Sequence, residues 1–367
     1  MTPDTLKKEV FIYTHDTAIS TAAKIMKGSS EFVGLRFGIE KLVESGAYPK
    51  FAYLPPPFIF SKKEVNTLIF QKRKVWTIKP KSAKKQVVLY LHGGGYVANL
   101  SLVHWDFIQE IIQKTNSIMV VPDYPLSPDF TYKDLYEFMD ELYSWITQAY
   151  PEHEIVFMGD SAGGGLSLAY AQYIQNRNLI STSKNTPSKD SFLVEQHFPV
   201  DQHFPVEDSK LNEIAGAVTE KNAPWKTPQK IILLSPWLDL GMKNKDAKAI
   251  AELDKILSFE VLNLCSQAYL GDKNPTEDAL KLQQVSPIYG PLLEDVQIAL
   301  FVGTHDLFWA DSKKLTNQYA DYAKSNHPAF SGFQFYEYPQ MFHVWMLFTK
   351  LPESQSVIAQ IADFLNN

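Results

Sequence analysis

The chain of 367 residues contains a single cysteine, Cys265, and no long uninterrupted apolar run. One cysteine excludes an internal disulfide, which suits a reducing compartment. The first twenty residues lack the apolar core of a secretory signal, and no stretch approaches the roughly 20 apolar residues that span a bilayer. We therefore expect a cytoplasmic protein without an integral membrane segment.

The sequence also lacks an excess of positive charge. Its formal net charge is −6, from 41 acidic and 35 basic residues, whereas a nucleic-acid surface needs clustered Lys and Arg to neutralise phosphates. The one basic cluster, residues 79–85, is short and lies between two predicted strands, so a solvated loop explains it. No nucleic-acid partner is expected. The composition, 45% hydrophobic and 21% charged, is that of an ordinary globular protein.

From residue 65 onwards, short apolar runs alternate with stretches of helical periodicity. The first two runs predict an antiparallel pair, and eight predicted strands cover residues 65–70, 73–78, 86–91, 117–122, 154–158, 230–235, 297–303 and 333–338. Helices are predicted at about 101–115, 131–149, 162–177, 309–325 and 353–366. Apolar strands that alternate with helices belong to a parallel sheet covered on both faces. The sequence predicts an α/β fold with a mostly parallel, eight-stranded, doubly wound sheet.

The segment 154–168 predicts a strand, a sharp turn and a helix, with Ser161 at the apex of the turn. Gly159 and Gly163 flank the serine two residues away on either side, where side chains would collide with the neighbouring strand and helix. Such a turn holds the hydroxyl clear of the sheet, at the positive end of a helix. A Gly-x-Ser-x-Gly motif also arises by chance, so its interpretation depends on partners elsewhere in the chain.

Ligands of such a sheet bind outside the carboxyl ends of its strands. The predicted strand 86–91 is followed by His92 and three glycines, whose amides can stabilise a tetrahedral oxyanion. The donors we expect are the backbone amides of Gly93, Gly94 and Ala162. For His92 we expect a structural role, because the chemistry of this loop lies in its amides.

Two later strands are followed by an acid and a base. Asp306 comes after strand 297–303 and His343 after strand 333–338. The chain order Ser161, Asp306, His343 is that of the α/β-hydrolase fold. His343 would take the serine proton while Asp306 orients the imidazole. Weaker candidates are Asp311 for the acid, and His305 and His327 for the base.

These motifs together resemble the hormone-sensitive lipase family of α/β-hydrolases, the bacterial esterases and lipases with an HGGG motif. The matching segments are HGGG (92–95), DYPLSPD (123–129), GDSAGGG (159–165), SPWLDL (235–240), SPIYG (286–290), GTHDLFWAD (303–311) and FHVW (342–345). Pro125 and Asp129 depart from the arginine and glutamate that the family often has there, which affects local loop shape. The resemblance implies that Ser161, Asp306 and His343 form a catalytic triad, that Gly93, Gly94 and Ala162 form the oxyanion hole, and that the protein cleaves carboxylic esters.

The resemblance further implies a helical cap over a catalytic domain of residues 61–367. The cap would consist of an N-terminal segment, residues 1–60, and a second segment at about 241–285. Within the catalytic domain, residues 178–226 are longer than a normal connection and contain an imperfect repeat, QHFPVD (196–201) and QHFPVE (202–207). We predict a flexible insertion. Its histidines and acids have no metal-ligand spacing, so no metal or cofactor is expected.

The substrate class is suggested by aromatic residues beside the motifs. Tyr96, Trp237 and Trp345, with bulky apolar residues in the predicted cap, indicate an apolar acyl ester of short to medium chain length. Two alternatives stay open: an amidase or peptidase on the same fold, and a non-catalytic ligand-binding protein derived from it. Strand 333–338 is predicted at a sheet edge, which offers a pairing surface for a homodimer.

Overall fold

The computed structural model describes residues 10–28, 41, 45, 52–183, 225–325 and 330–367. At its centre is a nine-stranded sheet in the order β1-β9-β8-β7-β6-β4-β5-β3-β2. The strands are β1 (Val10–Thr14), β2 (Glu64–Phe70), β3 (Arg73–Lys79), β4 (Gln86–Leu91), β5 (Ile118–Pro122), β6 (Glu154–Asp160), β7 (Lys230–Leu234), β8 (Gln297–Gly303) and β9 (Phe333–Tyr338). All eight predicted strands are present.

Helices pack on the sheet and connect its parallel strands. In the described residues they are α1 (Thr21–Gly28), α2 (Leu102–Thr115), α3 (Tyr132–Ala149), α4 (Ala162–Ser183), α5 (Ala247–Ile250), α6 (Phe259–Leu270), α7 (Glu277–Leu280), α8 (Trp309–Lys324) and α9 (Pro352–Asn366). Short 3-10 helices cover Pro287–Tyr289 and Trp345–Leu347. This architecture confirms the predicted α/β-hydrolase fold. In the part of the chain described above, no helix combines the length and apolar character needed to cross a bilayer.

The sheet is parallel except at one end. β2 and β3 form the predicted antiparallel pair, and β3 also runs antiparallel to β5. Every residue of β4, β5 and β7 is buried, as expected for strands that helices cover on both faces. The carboxyl ends of β4, β6, β8 and β9 therefore meet at one edge of the sheet, where the loops that follow them can form a site.

The ninth strand corrects two expectations from the sequence. β1 pairs in parallel with β9, in the register Val10 with Phe333, so residues 10–14 of the predicted N-terminal cap segment belong to the sheet. The apolar side chains of β1 pack beside Tyr336, with Phe11 and Tyr13 both in ring contact with it. The sheet has nine strands rather than eight. Since β1 occupies the outer edge of β9, that edge is not available for the predicted homodimer contact.

The two ends of the long insertion are in contact with each other, at Arg177 and Asn178 on one side and Trp225 on the other. Asn178 exchanges two hydrogen bonds of 2.8 Å with the backbone of Trp225, and Arg177 stacks over the Trp225 ring at 4.0 Å. Helix α4 extends to Ser183, beyond the predicted end at residue 177. The repeat at 196–207 lies outside the described residues. The contacts at Trp225 hold the two ends of the insertion together.

The second predicted cap segment, residues 241–285, contains α5, α6 and α7. Tyr269 of α6 stacks on Tyr96 at 3.7 Å between ring centroids. Cys265 lies so close to Gly95 that a side chain there would meet its sulfur at 3.0 Å. The segment therefore packs over the glycine loop that follows β4.

Candidate active site

Ser161 lies on the sharp turn between β6 and α4 and has a left-handed backbone, with φ of 53°. Its amide donates to Leu234 O at 2.8 Å, and its carbonyl accepts from the amide of Trp237 at 2.9 Å. A Cβ on Gly159 would stand 2.3 Å from Gly163 O, which explains the glycine at that position. A left-handed residue other than glycine costs about 1 to 3 kcal/mol, and contacts with the β7 strand end and the loop after it hold Ser161 in this conformation.

The three predicted side chains lie in one hydrogen-bonded row. The Ser161 hydroxyl is 2.9 Å from His343 Nε2, and His343 Nδ1 is 3.0 Å from Asp306 Oδ2. The second oxygen of Asp306 accepts from the amide of Phe308 at 2.9 Å. All three side chains are buried, with Ser161 the most exposed at 6%. This arrangement can move a proton from the hydroxyl to an imidazole whose tautomer the carboxylate fixes.

The electrostatic surroundings of His343 favour its charged form. Burial lowers the pKa of the imidazole, but the charge and hydrogen bond of Asp306, with the charges of Asp254 and Asp160, outweigh burial and raise the pKa above its ordinary value. The ring edge of Phe308 contacts the imidazole, with centroids 5.1 Å apart. The site is therefore built to stabilise an imidazolium once it forms.

The glycine loop after β4 lies directly against the serine turn. A Cβ on Gly93 would meet Asp160 Oδ2 at 2.2 Å and Ser161 Cβ at 3.0 Å. Gly94 has φ of 109°, and its carbonyl accepts from the amides of residues 97 and 98. Among the backbone–backbone hydrogen bonds of the described residues that lie outside regular helices and strands, none is donated by the amides of Gly93, Gly94 or Ala162. Backbone amides without an internal acceptor are the donors that an oxyanion site would require.

His92 is buried beneath this loop. Its ring stacks on Tyr124 at 4.2 Å, and its Nδ1 lies 2.7 Å from Gly93 O. Burial, with the nearby His104, lowers the pKa of His92 to about 3. The imidazole is therefore neutral, and it supports the loop from below, in line with the structural role that we expect for it.

Asp160 and His104 form a buried polar support behind Ser161 that the sequence reasoning missed. Asp160 accepts from Tyr90 at 2.6 Å and lies 3.5 Å from His104 Nε2. Burial would raise the pKa of Asp160, but His104 and the Tyr90 hydroxyl together lower it. The aspartate next to Ser161 in the motif was a visible signal for this support. His104 had none, because its role depends on how α2 packs on the sheet.

Asp254 is a second carboxylate near Asp306 and His343 that the sequence reasoning missed. Its Oδ2 accepts from the amide of Leu307 at 2.8 Å, and Leu307 directly follows Asp306. Its Oδ1 accepts from the amides of Ile256 and Leu257, each at 2.8 Å. No motif marks this position, since its partner lies 53 residues away along the chain.

The weaker candidates lie away from the hydrogen-bonded row. Asp311 is buried in α8 and accepts from Asn244 at 3.0 Å. His305 is bonded to the ammonium of Lys27, and its pKa is lowered by burial and by that charge. His327 lies outside the described residues. Of the acids and bases considered, Asp306 and His343 are the pair that the structure brings to Ser161.

A row of aromatic rings runs from the second cap segment to the imidazole. Tyr269 stacks on Tyr96, Tyr96 lies 5.9 Å from Trp237, and Trp237 lies 5.8 Å from Phe308, which contacts His343. Trp345 is not part of this row, since it packs against Tyr338. Among the side chains that the structure describes, no three His, Cys, Asp or Glu residues are grouped to hold a metal ion.

Known proteins are similar to this chain in sequence and in fold. Residues 88–347 match a family model described as alpha/beta hydrolase fold. An esterase of Acinetobacter venetianus is 23% identical over 290 residues, 78% of this chain and 77% of that protein. An acetyl-hydrolase of Streptomyces hygroscopicus is 21% identical over 290 residues, 78% of each chain.

Solved structures with a similar fold cover nearly the whole chain. An esterase described as belonging to the bacterial hormone-sensitive lipase family has a TM-score of 0.64 and 22% identity, and the match covers 95% of this chain and 98% of that one. An esterase/lipase from an uncultured bacterium has a TM-score of 0.64 and 21% identity, with 94% and 96% covered.

Proposed function

Since the chain belongs to the α/β-hydrolase family, among its hormone-sensitive-lipase-like esterases, we propose that it is a carboxylic ester hydrolase that works through a covalent acyl-enzyme. The observation that carries this proposal is the pair of contacts of His343, 2.9 Å to the Ser161 hydroxyl and 3.0 Å to Asp306. A hydroxyl, an imidazole and a carboxylate in this order are what nucleophilic acyl transfer requires.

In the first half of the reaction, Ser161 Oγ attacks the ester carbonyl carbon and its proton passes to His343 Nε2. The carbonyl oxygen becomes an oxyanion, which accepts hydrogen bonds from the amides of Gly93, Gly94 and Ala162. Collapse of this intermediate breaks the bond to the alcohol oxygen. The alcohol leaves with the proton from His343, and the acyl group stays on the serine.

In the second half, water attacks the acyl-enzyme and gives its proton to His343. The same amides stabilise the second oxyanion. When this intermediate collapses, Ser161 Oγ regains the proton and the carboxylic acid is released. Throughout, the Asp306 carboxylate accepts from His343 Nδ1 and stabilises the imidazolium in both halves.

The aromatic row supports an apolar acyl group of short to medium length. Tyr96, Trp237 and Phe308 are each buried, and the row that they form ends at His343, so apolar ring surface borders the site. Rates on p-nitrophenyl esters from acetate to palmitate measure this preference. A maximum at the long-chain esters would contradict it.

The deciding experiment compares Ser161→Ala with the wild type on p-nitrophenyl butyrate. Loss of the nucleophile should lower kcat by at least about a thousandfold. Ser167→Ala is the matched control, because Ser167 is a buried serine within α4 whose hydroxyl donates to Gly163 O at 2.8 Å. Ester hydrolysis that survives in Ser161→Ala would refute the proposal. Equal turnover of the matching anilide by the wild type would identify an amidase instead.

A further inference from the structure

Asp254 joins the second cap segment to the loop that carries the triad acid. It lies between α5 and α6 and is 1% exposed. One carboxylate oxygen binds the amides of Ile256 and Leu257 in its own segment, and the other binds the amide of Leu307. A single side chain therefore bonds to three buried backbone amides on two separate segments.

The charged neighbours of Asp254 come from several elements. Asp306 and His343 face it from the loops after β8 and β9. The charge of Asp254 also acts on the ammonium of Lys27 in α1, as does the charge of Lys255. Around His343, the negative groups are Asp306, Asp254 and Asp160. Asp254 is thus the residue of the second cap segment whose negative charge raises the pKa of the His343 imidazole.

We propose that Asp254 is a positioning residue for ester hydrolysis, which holds the Asp306 loop in place and adds a second negative charge that stabilises the His343 imidazolium. This inference rests on the proposed function, because it needs His343 to act as the base. Asp254 does not touch the reacting atoms. It acts through Leu307 and Asp306, and through the electric field at His343.

The hydrogen bond to Leu307 and the negative charge of Asp254 each explain one part of this role. Without the carboxylate, the buried amide of Leu307 would lose its acceptor, and the backbone that sets the direction of the Asp306 side chain would be free to shift. The imidazolium gains from a second nearby carboxylate because charges interact strongly in a buried site. Burial and the charge of Asp306 raise the pKa of Asp254 to about 6, so this carboxylate is ionised at neutral pH and loses its charge as the solution is acidified.

The test is the pH profile of kcat/KM for Asp254→Asn, which keeps the size of the side chain and removes its charge. We expect kcat at pH 8 to fall about tenfold or more through misplacement of the triad. We also expect the acidic limb to move to lower pH by roughly 0.5 to 1 unit, because His343 loses a stabilising charge. KM for a short ester should change little, since Asp254 does not contact the substrate.

Asp311→Asn is the matched control. Asp311 is equally buried and has a pKa raised to about 6, chiefly by burial, but it bonds to Asn244 rather than to the triad loop. Its pH profile should match the wild type. If Asp254→Asn does not fold, Asp254→Ser carries the same test, because a serine hydroxyl can still accept from the turn amides and has no charge.

An unchanged acidic limb in a folded Asp254 variant would overturn the inference, as would an equal shift in Asp311→Asn. A shift confined to the Asp254 variants supports it. The Ser161→Ala variant separates this result from the proposed function. If Ser161→Ala is inactive and the limb of Asp254→Asn is unchanged, only the role of Asp254 fails; if Ser161→Ala is active, the proposed function itself fails.

Discussion

Gly163 is the position where one added carbon should disturb catalysis most directly. It lies in the first turn of α4, next to Ala162, and faces the end of β4. A Cβ built on Gly163 would stand 1.9 Å from Leu91 O and 2.5 Å from His92 O. Both obstacles are backbone atoms, so no rotation of a side chain can relieve the contact.

The size of the effect follows from these distances. Real Cβ contacts below 3.0 Å essentially do not occur, so in Gly163→Ala the start of α4 and the end of β4 must separate by about 1 Å. The Ala162 amide would move with α4, while the amides of Gly93 and Gly94 stay with the loop after β4. The proposed oxyanion donors are then pulled apart. A misplacement of this size lowers kcat/KM by about a hundredfold, or about 2.7 kcal/mol of transition-state stabilisation.

The measurement is kcat/KM on p-nitrophenyl acetate, with thermal unfolding and near-UV circular dichroism to establish that the variant is folded. Gly164→Ala is the matched control, since its nearest obstacles, Gly159 O and Pro236 Cβ, are each 3.0 Å away. Both substitutions replace a helical glycine by alanine, so both gain the same intrinsic helix propensity. The reasoning is refuted if folded Gly163→Ala stays within about threefold of the wild type, or if Gly164→Ala loses as much activity.

Two further predictions concern the imidazole. Asp306→Asn should lower kcat by about a thousandfold to ten-thousandfold, because an amide at that position favours the wrong tautomer of His343. Activity near that of the wild type would show that another acid orients His343. In the wild type, kcat/KM should fall as the pH drops through a value above the ordinary histidine pKa of 6.5. Only the neutral imidazole can accept the serine proton, and Asp306 raises the pKa of His343 against the effect of burial. Full activity down to pH 5, measured in buffers of constant ionic strength, would contradict a histidine base.

The strands that helices cover on both faces could be read directly from the sequence. β4, β8 and β9 begin and end at the predicted residues. In β4 and β8 nearly every residue is buried, and a strand buried on both faces is apolar along most of its length. β9 is marked by its buried aromatic residues. β1 was missed for the opposite reason. It is an outer strand whose residues alternate irregularly between exposed and half-buried, so its side chains carry no periodic pattern. Its position comes from backbone hydrogen bonds with β9, which any sequence can make.

The candidate site was predictable where a motif couples chemistry to a fixed place in the fold. Ser161, Asp306 and His343 each follow a strand that the apolar pattern reveals, and parallel strands bring their carboxyl ends together. Asp254 and His104 could not be found in this way. Each acts through a contact with a residue more than 50 positions away, and such contacts depend on how the cap segment and α2 pack.

The pairing of β1 with β9 has a consequence for how the chain is made. Among the described strands β1 pairs with β9 alone, and β9 follows it by roughly 320 residues along the chain. During synthesis, the segment Val10–Thr14, with the apolar side chains of Phe11 and Ile12, must therefore wait until β9 has left the ribosome. Throughout that interval it is an unpaired apolar strand. Molecular chaperones that hold extended apolar segments would find a target in Val10–Thr14.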